Sequence, residues 1–259
     1  MKVKEIYDYL NALYPIENAE SFDNGKVGLQ FGSFDEEVKG VIVALDATND
    51  VIDEAIRLKA NVIITHHPFM FQPLLNLKYD TPFGKKLLKV FNNRLNIMAF
   101  HTNYDVGLDG MNDCLAKELG LKNIKMLEDN VSSSTLIRVG KIDKEKASNF
   151  LPVIKQAFKQ KAIRVAGNIE KEIETIGIVG GSGSSEFYQA LSNNVDLFIT
   201  GQIPHHLGIE AIDNDMIIVE VSHAVEFFGV ESLYKKLSTK FNDIKWTLFN
   251  KNYDPFYII

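Results

Sequence analysis

The chain holds six histidines, His66, His67, His101, His205, His206 and His223, and each lies next to the end of an apolar run. Three motifs contain most of them: Thr65-His66-His67-Pro68, His101-Thr102-Asn103-Tyr104-Asp105 and His223-Ala224-Val225-Glu226. His101 and Asp105 are four residues apart, and His223 and Glu226 three. Both spacings can set an imidazole and a carboxylate on one face. His66 and His67 are neighbours, which an extended chain points to opposite sides. Pro68 keeps His67 away from helical angles, so the pair can serve two adjacent metal ions. Four imidazoles and two carboxylates (His66, His67, His101, Asp105, His223 and Glu226) suffice for two divalent ions. Such N/O donors suit Zn, Fe, Mn, Co or Ni, and the absence of thiolate removes any preference for a soft metal. Two ions ~3.5–4 Å apart activate water and grip a substrate oxygen, which is hydrolytic chemistry.

Two further stretches carry candidates. Gly180-Gly181-Ser182-Gly183-Ser184-Ser185 follows an apolar strand and opens a helix. The N–H groups of Gly181 and Gly183 could hold a phosphate there. The stretch is not a Walker A loop, and Glu186 replaces the third glycine of a dinucleotide fingerprint; a tight, serine-capped turn is the plainer alternative. His205 and His206, in Gly201-Gln202-Ile203-Pro204-His205-His206, are read as substrate contacts or supports of the ligands, with helix capping as the alternative.

The elements that must position these residues alternate strand and helix. Helical spacing predicts a helix over Val3–Leu13. Strands are predicted over Val38–Leu45, Val62–Thr65 and Leu95–Phe100, with helices near 50–59 and 82–92 between them. A helix around Met111–Leu119 holds Cys114 as a buried thiol. A strand over Ser132–Gly140, a helix over Lys144–Phe158 and a strand over Ile163–Ala166 follow. This is the pattern of layered α/β architecture. Laid over itself so that Gly40 falls on Thr175, the sequence repeats: Ala55 falls on Ala190, and Val62-Ile63-Ile64-Thr65 on Leu197-Phe198-Ile199-Thr200. A duplicated strand–helix–strand unit would set histidine-bearing strand ends in equivalent places, where a pseudo-two-fold arrangement brings them into one cleft. The expected division is a first repeat over 1–127, rejoined by 220–259, and a second over 128–219. Trp246, Phe249 and Tyr253 are read as core or interface aromatics.

Bulk properties exclude several classes. The 259 residues carry 46% hydrophobic and 24% charged side chains and a formal charge of −6, ordinary for a globular protein. The dispersed basic residues argue against a nucleic-acid surface. No apolar run approaches the ~20 residues of a membrane span. A lone cysteine fits a reducing, cytoplasmic setting.

These motifs resemble the Nif-three-like family, whose members are often labelled GTP cyclohydrolase 1 type 2 homologues. The resemblance runs nearly end to end. It includes Phe22-Asp23-Asn24-Gly25-Lys26-Val27-Gly28-Leu29, Ala44-Leu45-Asp46-Ala47-Thr48, the two histidine motifs of the first half, the glycine-rich turn, Thr200-Gly201-Gln202 and His223-x-x-Glu226. It implies two similar α/β/α repeats with a dinuclear metal site in the cleft between them, held by His66, His67, His101, Asp105, His223 and Glu226. Some relatives space the last pair one residue wider, which would put Ser222 in the histidine position; His223 is the only imidazole nearby. The resemblance also implies a ring-shaped homohexamer. Its label implies opening of the imidazole ring of GTP with release of formate, where His205 or His206 could donate a proton. The expectation is a metal-dependent hydrolase of a nucleotide or related phosphorylated compound. The alternative is a non-catalytic ring that acts in interaction, regulation or metal carriage.

Overall fold

The structure is a computed structural model describing residues 1–127, 136–251 and 253–259. The chain runs α1 (Val3–Leu13), β1 (Gly28–Phe31), β2 (Val41–Ala44), α2 (Asn49–Leu58), β3 (Val62–Thr65), α3 (Pro82–Asn92), β4 (Asn96–Ala99) and α4 (Thr102–Val106). It continues through α5 (Met111–Glu118), β5 (Lys122–Met126), β6 (Arg138–Lys146), α6 (Ala147–Ala157), β7 (Arg164–Ala166), β8 (Glu172–Ile178), α7 (Phe187–Ser192), β9 (Leu197–Thr200), α8 (His205–Asp213) and β10 (Ile217–Glu220). It ends with α9 (Phe227–Lys240) and β11 (Trp246–Leu248). No helix among the described residues is long and apolar enough to cross a membrane.

Two compact units result, one of residues 1–108 with 230–253, the other of 109–229 with 254–259. The first contains a five-stranded sheet of order β1-β4-β3-β2-β11. β11, β2, β3 and β4 run parallel, and β1 is antiparallel to β4. Every residue of β2, β3 and β4 is buried, as parallel strands covered on both faces require. Helix α2 is capped by the Thr48 hydroxyl, which accepts from the Val51 N–H, and α3 by Thr81 with Pro82 in its first turn. Ile42, Ile52, Ile63, Val90 and Ile97 form the core against the sheet.

The second unit contains a six-stranded sheet of order β5-β6-β8-β9-β10-β7. Its centre, β8, β9 and β10, is again parallel, with β7 antiparallel beside β10. Ile154, Ile176, Leu197, Ile199 and Ile217 lie in its core. The stretch Met111–Met126 belongs to this unit rather than to the first repeat, because β5 pairs with β6. The expected boundary at Glu128 and the start of the predicted strand Ser132–Gly140 lie outside the described residues. That strand is seen from Arg138 on and runs through Lys146, so α6 begins later than predicted.

The repeat is visible in fine detail. In the first unit the Lys39 N–H donates to Asn61 Oδ1 at 2.8 Å. At the matching position of the second, the Glu174 N–H donates to Asp196 Oδ2 at 3.0 Å. The backbone bond Phe100 N–H to Thr65 O has its counterpart in Val221 N–H to Thr200 O, both 3.0 Å. Side chains as well as strand order therefore recur, and the two α/β repeats are alike. Trp246 donates through Nε1 to Phe241 O at 2.8 Å, and Phe249 packs on the first core. Cys114 is half-buried rather than buried.

Candidate metal centre

In the first unit, three adjacent parallel strands deliver polar residues to one edge. Asp46 follows β2, His66 and His67 follow β3, and His101 follows β4. The carboxyl ends of parallel strands are where α/β sheets bind ligands. The alternation expected of His66 and His67 is broken by a bend just after β3. The Thr65 hydroxyl closes it by donating to His67 O at 2.7 Å. Both imidazoles consequently turn to one place, their ring centroids 5.0 Å apart, and that of His101 lies 5.0 Å from His66 and 5.6 Å from His67. One ring nitrogen from each of the three lies within 4.8 Å of those of the other two.

The hydrogen bonds behind the rings settle their orientation. His66 Nδ1 donates to the Phe100 carbonyl at 2.9 Å, His67 Nδ1 to Asp46 Oδ1 at 2.9 Å, and His101 Nδ1 to Asp23 Oδ2 at 2.6 Å. Each partner is an acceptor with no proton to give, so in the neutral rings Nδ1 carries the hydrogen and Nε2 the lone pair. Imidazoles that bind metal are held in this way. Asp105, on α4, sets Oδ1 3.5 Å from His66 Nε2. That separation is longer than a normal hydrogen bond and close to the roughly 3.4 Å between two donors sharing one tetrahedral ion at ~2.1 Å. His66, His67 and His101 thus fit a transition-metal ion by donor type, tautomer and mutual spacing, and Asp105 adds a carboxylate oxygen beside His66 alone.

Asp23 is fully buried. It also accepts from the Thr102 hydroxyl at 2.6 Å and, more weakly, from the Thr102 N–H at 3.3 Å. Burial pushes its carboxyl upward, but the bond and charge of His101 and the bonds from Thr102 outweigh this and hold it below the usual carboxylate range. Asp46 is more open, its side chain 46% exposed. Sequence reasoning did not assign either aspartate to an imidazole; both lay in motifs noted only for their resemblance.

In the second unit, Ser222 caps the turn His223–Glu226, its hydroxyl accepting from the Ala224 N–H at 3.2 Å. The turn brings His223 Nε2 to 3.3 Å from Glu226 Oε2, with Glu226 buried and His223 half-buried. The glycine-rich turn packs against this pair. A Cβ on Gly181 (φ +58°) would meet Glu226 Oε1 at 2.4 Å, and one on Gly201 would meet His223 Cα at 2.8 Å. Two of the turn's donors face inward: the Gly180 N–H bonds Asn112 Oδ1 and the Gly183 N–H bonds Thr200 Oγ1. Gly183 therefore has no N–H to offer a phosphate, and α7 behind it is only six residues long. Close approach accounts for the glycines: to Glu226 at Gly180 and Gly181, and to Val179 and Thr200 at Gly183. His205 and His206 are exposed in the first turn of α8; His205 lines a groove with Arg164, Ile209 and Ile212.

Two α/β repeats whose strand ends carry imidazoles and carboxylates able to hold a metal ion define the class. The chain belongs to the Duf34/NIF3 (NGG1p interacting factor 3) family, whose model matches residues 1–255. A Clostridium acetobutylicum protein named GTP cyclohydrolase 1 type 2 homolog is 33% identical over 242 residues, 92% of this chain and 90% of the relative. A protein of the same name from Clostridium perfringens is 32% identical over 267 aligned residues and the whole of both chains. The crystal structure of a hypothetical protein from Staphylococcus aureus superposes with a TM-score of 0.91 at 31% identity, covering 100% of this chain and 99% of that one.

Proposed function

We propose that the protein is a dinuclear metal-dependent hydrolase of a nucleotide or related phosphorylated small molecule, of the kind its relatives' name, GTP cyclohydrolase 1 type 2 homolog, describes. The observation that carries the reading is the matched orientation of three imidazoles, each with Nδ1 held by an acceptor from behind. In this proposal His66, His67, His101 and Asp105 act with His223 and Glu226 to hold two divalent ions drawn from Zn, Fe, Mn, Co and Ni. The ions would supply a Lewis acid and a water of lowered pKa. Asp23 and Asp46 fix the rings of His101 and His67, and Glu226 would accept a proton within reach of His223. His205 and His206 are exposed and could donate a proton to a leaving nitrogen. We further propose a homo-oligomeric ring of six chains, which light scattering on the purified protein would measure.

The test is metal analysis of protein made without added metal, followed by a hydrolysis screen over nucleotides. Wild type should hold close to two ions and release product, whereas Asp105→Asn and His101→Ala should hold less metal and lose turnover while remaining folded and assembled. Equal, low metal in all three proteins would remove the basis of the proposal. Full metal with no turnover of any phosphorylated compound would favour a binding or regulatory role, as the family description of an interacting factor implies.

A further inference from the structure

Beside His223 the second unit has an open cleft of ≈ 620 Å³. Three of its walls are the ends of regular elements: the turn 159–161 after α6, Gly201-Gln202 after β9 and Ser222-His223 after β10. The segment 254–258 forms the fourth. These walls are tied together. Gln160 donates to Phe158 O at 2.9 Å and accepts from the Ser222 N–H at 3.0 Å. The Ser222 hydroxyl donates to Asp254 Oδ2 at 2.6 Å, and Asp254 Oδ1 accepts from the Phe256 N–H at 2.9 Å.

The charges do not cancel. Glu220 is neutralised by Arg164 at 2.7 and 2.9 Å, and Asp254 accepts from the Ser222 hydroxyl but keeps its charge. Lys159 and Lys161 are exposed, and neither pairs with a carboxylate among the described residues. Lys159, Lys161 and Arg164 thus face Glu220 and Asp254 around the cleft, and the net positive wall this leaves in a chain of net charge −6 marks a place for an anion. In the same cleft Phe256 and Tyr257 are 77% and 83% exposed. Aromatic faces left bare beside a cationic wall match a ligand that has both a planar ring and phosphate groups.

We propose that this cleft binds a nucleoside phosphate, with Lys159 and Lys161 holding the phosphate groups and Phe256 and Tyr257 stacking the base beside His223. The inference deepens the hydrolytic reading, since it rests on that reading to call the ligand a substrate, but binding itself requires no metal. In the proposal the lysine pair replaces the glycine-rich turn, whose Gly180 and Gly183 N–H groups are already engaged, as the phosphate-holding element.

Calorimetric titration of the chelator-treated full chain with GTP, inorganic triphosphate and guanosine tests it. GTP should bind more tightly than either fragment, and more weakly as salt rises. Lys159→Gln with Lys161→Gln should weaken GTP and triphosphate about tenfold and leave guanosine unchanged. Phe256→Ala with Tyr257→Ala should weaken GTP and guanosine about tenfold and spare triphosphate. No GTP binding by the metal-free protein, or equal affinity in wild type and both variants, overturns the proposal. So does an aromatic variant that changes the number of chains in the assembly and not the affinity. GTP binding at this cleft by a protein that never acquires metal would sink the hydrolase reading alone. Hydrolysis with a KM indifferent to the two lysines would sink this inference alone.

Discussion

Asp23→Asn is the substitution that most directly tests why the imidazoles are oriented as they are. Asp23 Oδ2 is the common acceptor for His101 Nδ1, the Thr102 hydroxyl and the Thr102 N–H. Asparagine keeps the shape and one carbonyl oxygen but loses the charge, and its NH₂ cannot accept if the amide turns. The His101 ring would then be held by a neutral bond roughly half as strong. Loss of a carboxylate behind a ligating imidazole costs about 10–100-fold in metal affinity, or roughly 1.4–2.7 kcal/mol. Because Asp23 is fully buried, no water can take its place, and the effect belongs near the upper end. Asp46→Asn supplies an internal comparison. Its carboxylate also holds an imidazole at 2.9 Å, but it is nearly half exposed, so water can replace it and the loss should be near the lower end. Titration of the metal-free proteins with Zn²⁺ against a chromophoric chelator gives both dissociation constants. The expected order is wild type tightest, Asp46→Asn next and Asp23→Asn weakest, with near-native circular dichroism throughout. Equal affinity of Asp23→Asn and wild type would refute the argument that these rings are set by the groups behind them. So would a larger loss at Asp46 than at Asp23.

Three other outcomes are expected. His223→Ala combined with Glu226→Ala should leave the imidazole trio of the first unit intact, so bound metal should fall from about two ions per chain to about one, since three protein ligands suffice for one ion; loss of all metal, measured by mass spectrometry, would contradict it. Gly201→Ala places a Cβ 2.5 Å from Gly181 O and 2.8 Å from His223 Cα, both backbone atoms that cannot swing away. It should cost about 1–3 kcal/mol in urea unfolding, and an unchanged midpoint would show that the turn relaxes freely. Arg138 and Asp113 form a buried ion pair, 2% and 7% exposed. Arg138→Leu leaves the carboxylate without its cation and should cost about 3–5 kcal/mol, while Arg138→Met with Asp113→Leu should recover much of it; a single variant as stable as wild type would show that water reaches the site.

Elements with a strong local signal were legible in the sequence. Val3–Leu13 has helical spacing, Thr81-Pro82 announces the start of α3, and Val62–Thr65 is a short apolar run between breaks. The late start of α6 was hidden because β6 extends through Ile142-Asp143-Lys144-Glu145-Lys146, a largely charged stretch. It is kept in the strand by pairing with Ile173 and Glu172 of β8, contacts that no local pattern contains. The same distinction applies to the site. Residue types and strand-end positions pointed to the ligand candidates. The carboxylate that reaches His101 comes from 78 positions away, and a lone aspartate in a turn looks like any other cap. The glycine-rich turn had the composition of a phosphate loop. Only its packing against Glu226 separates that use from close approach.

The duplication explains why the imidazoles are unequally shared. With β4 laid on β10 residue for residue, Asp105 falls on Glu226, so both repeats hold an acid at the same place after the third parallel strand. With β3 laid on β9, His66 falls on Gly201 and His67 on Gln202. An imidazole at Gly201 is impossible, because even a Cβ there would stand 2.8 Å from His223 Cα. The second repeat therefore has no imidazole directly after its middle strand, and its imidazole comes from the strand that also supplies the acid. It stands one place beyond Ser222, the counterpart of His101, and Ser222 is engaged by Asp254. One backbone plan thus produces two different surfaces. In the first repeat an acid accompanies three imidazoles that are held from behind by acceptors. In the second an acid and one imidazole are seated against glycine, leaving an open cleft at their side. A chain that needed only metal storage could have kept the two ends alike. The cleared space beside His223 is what a second molecule would require.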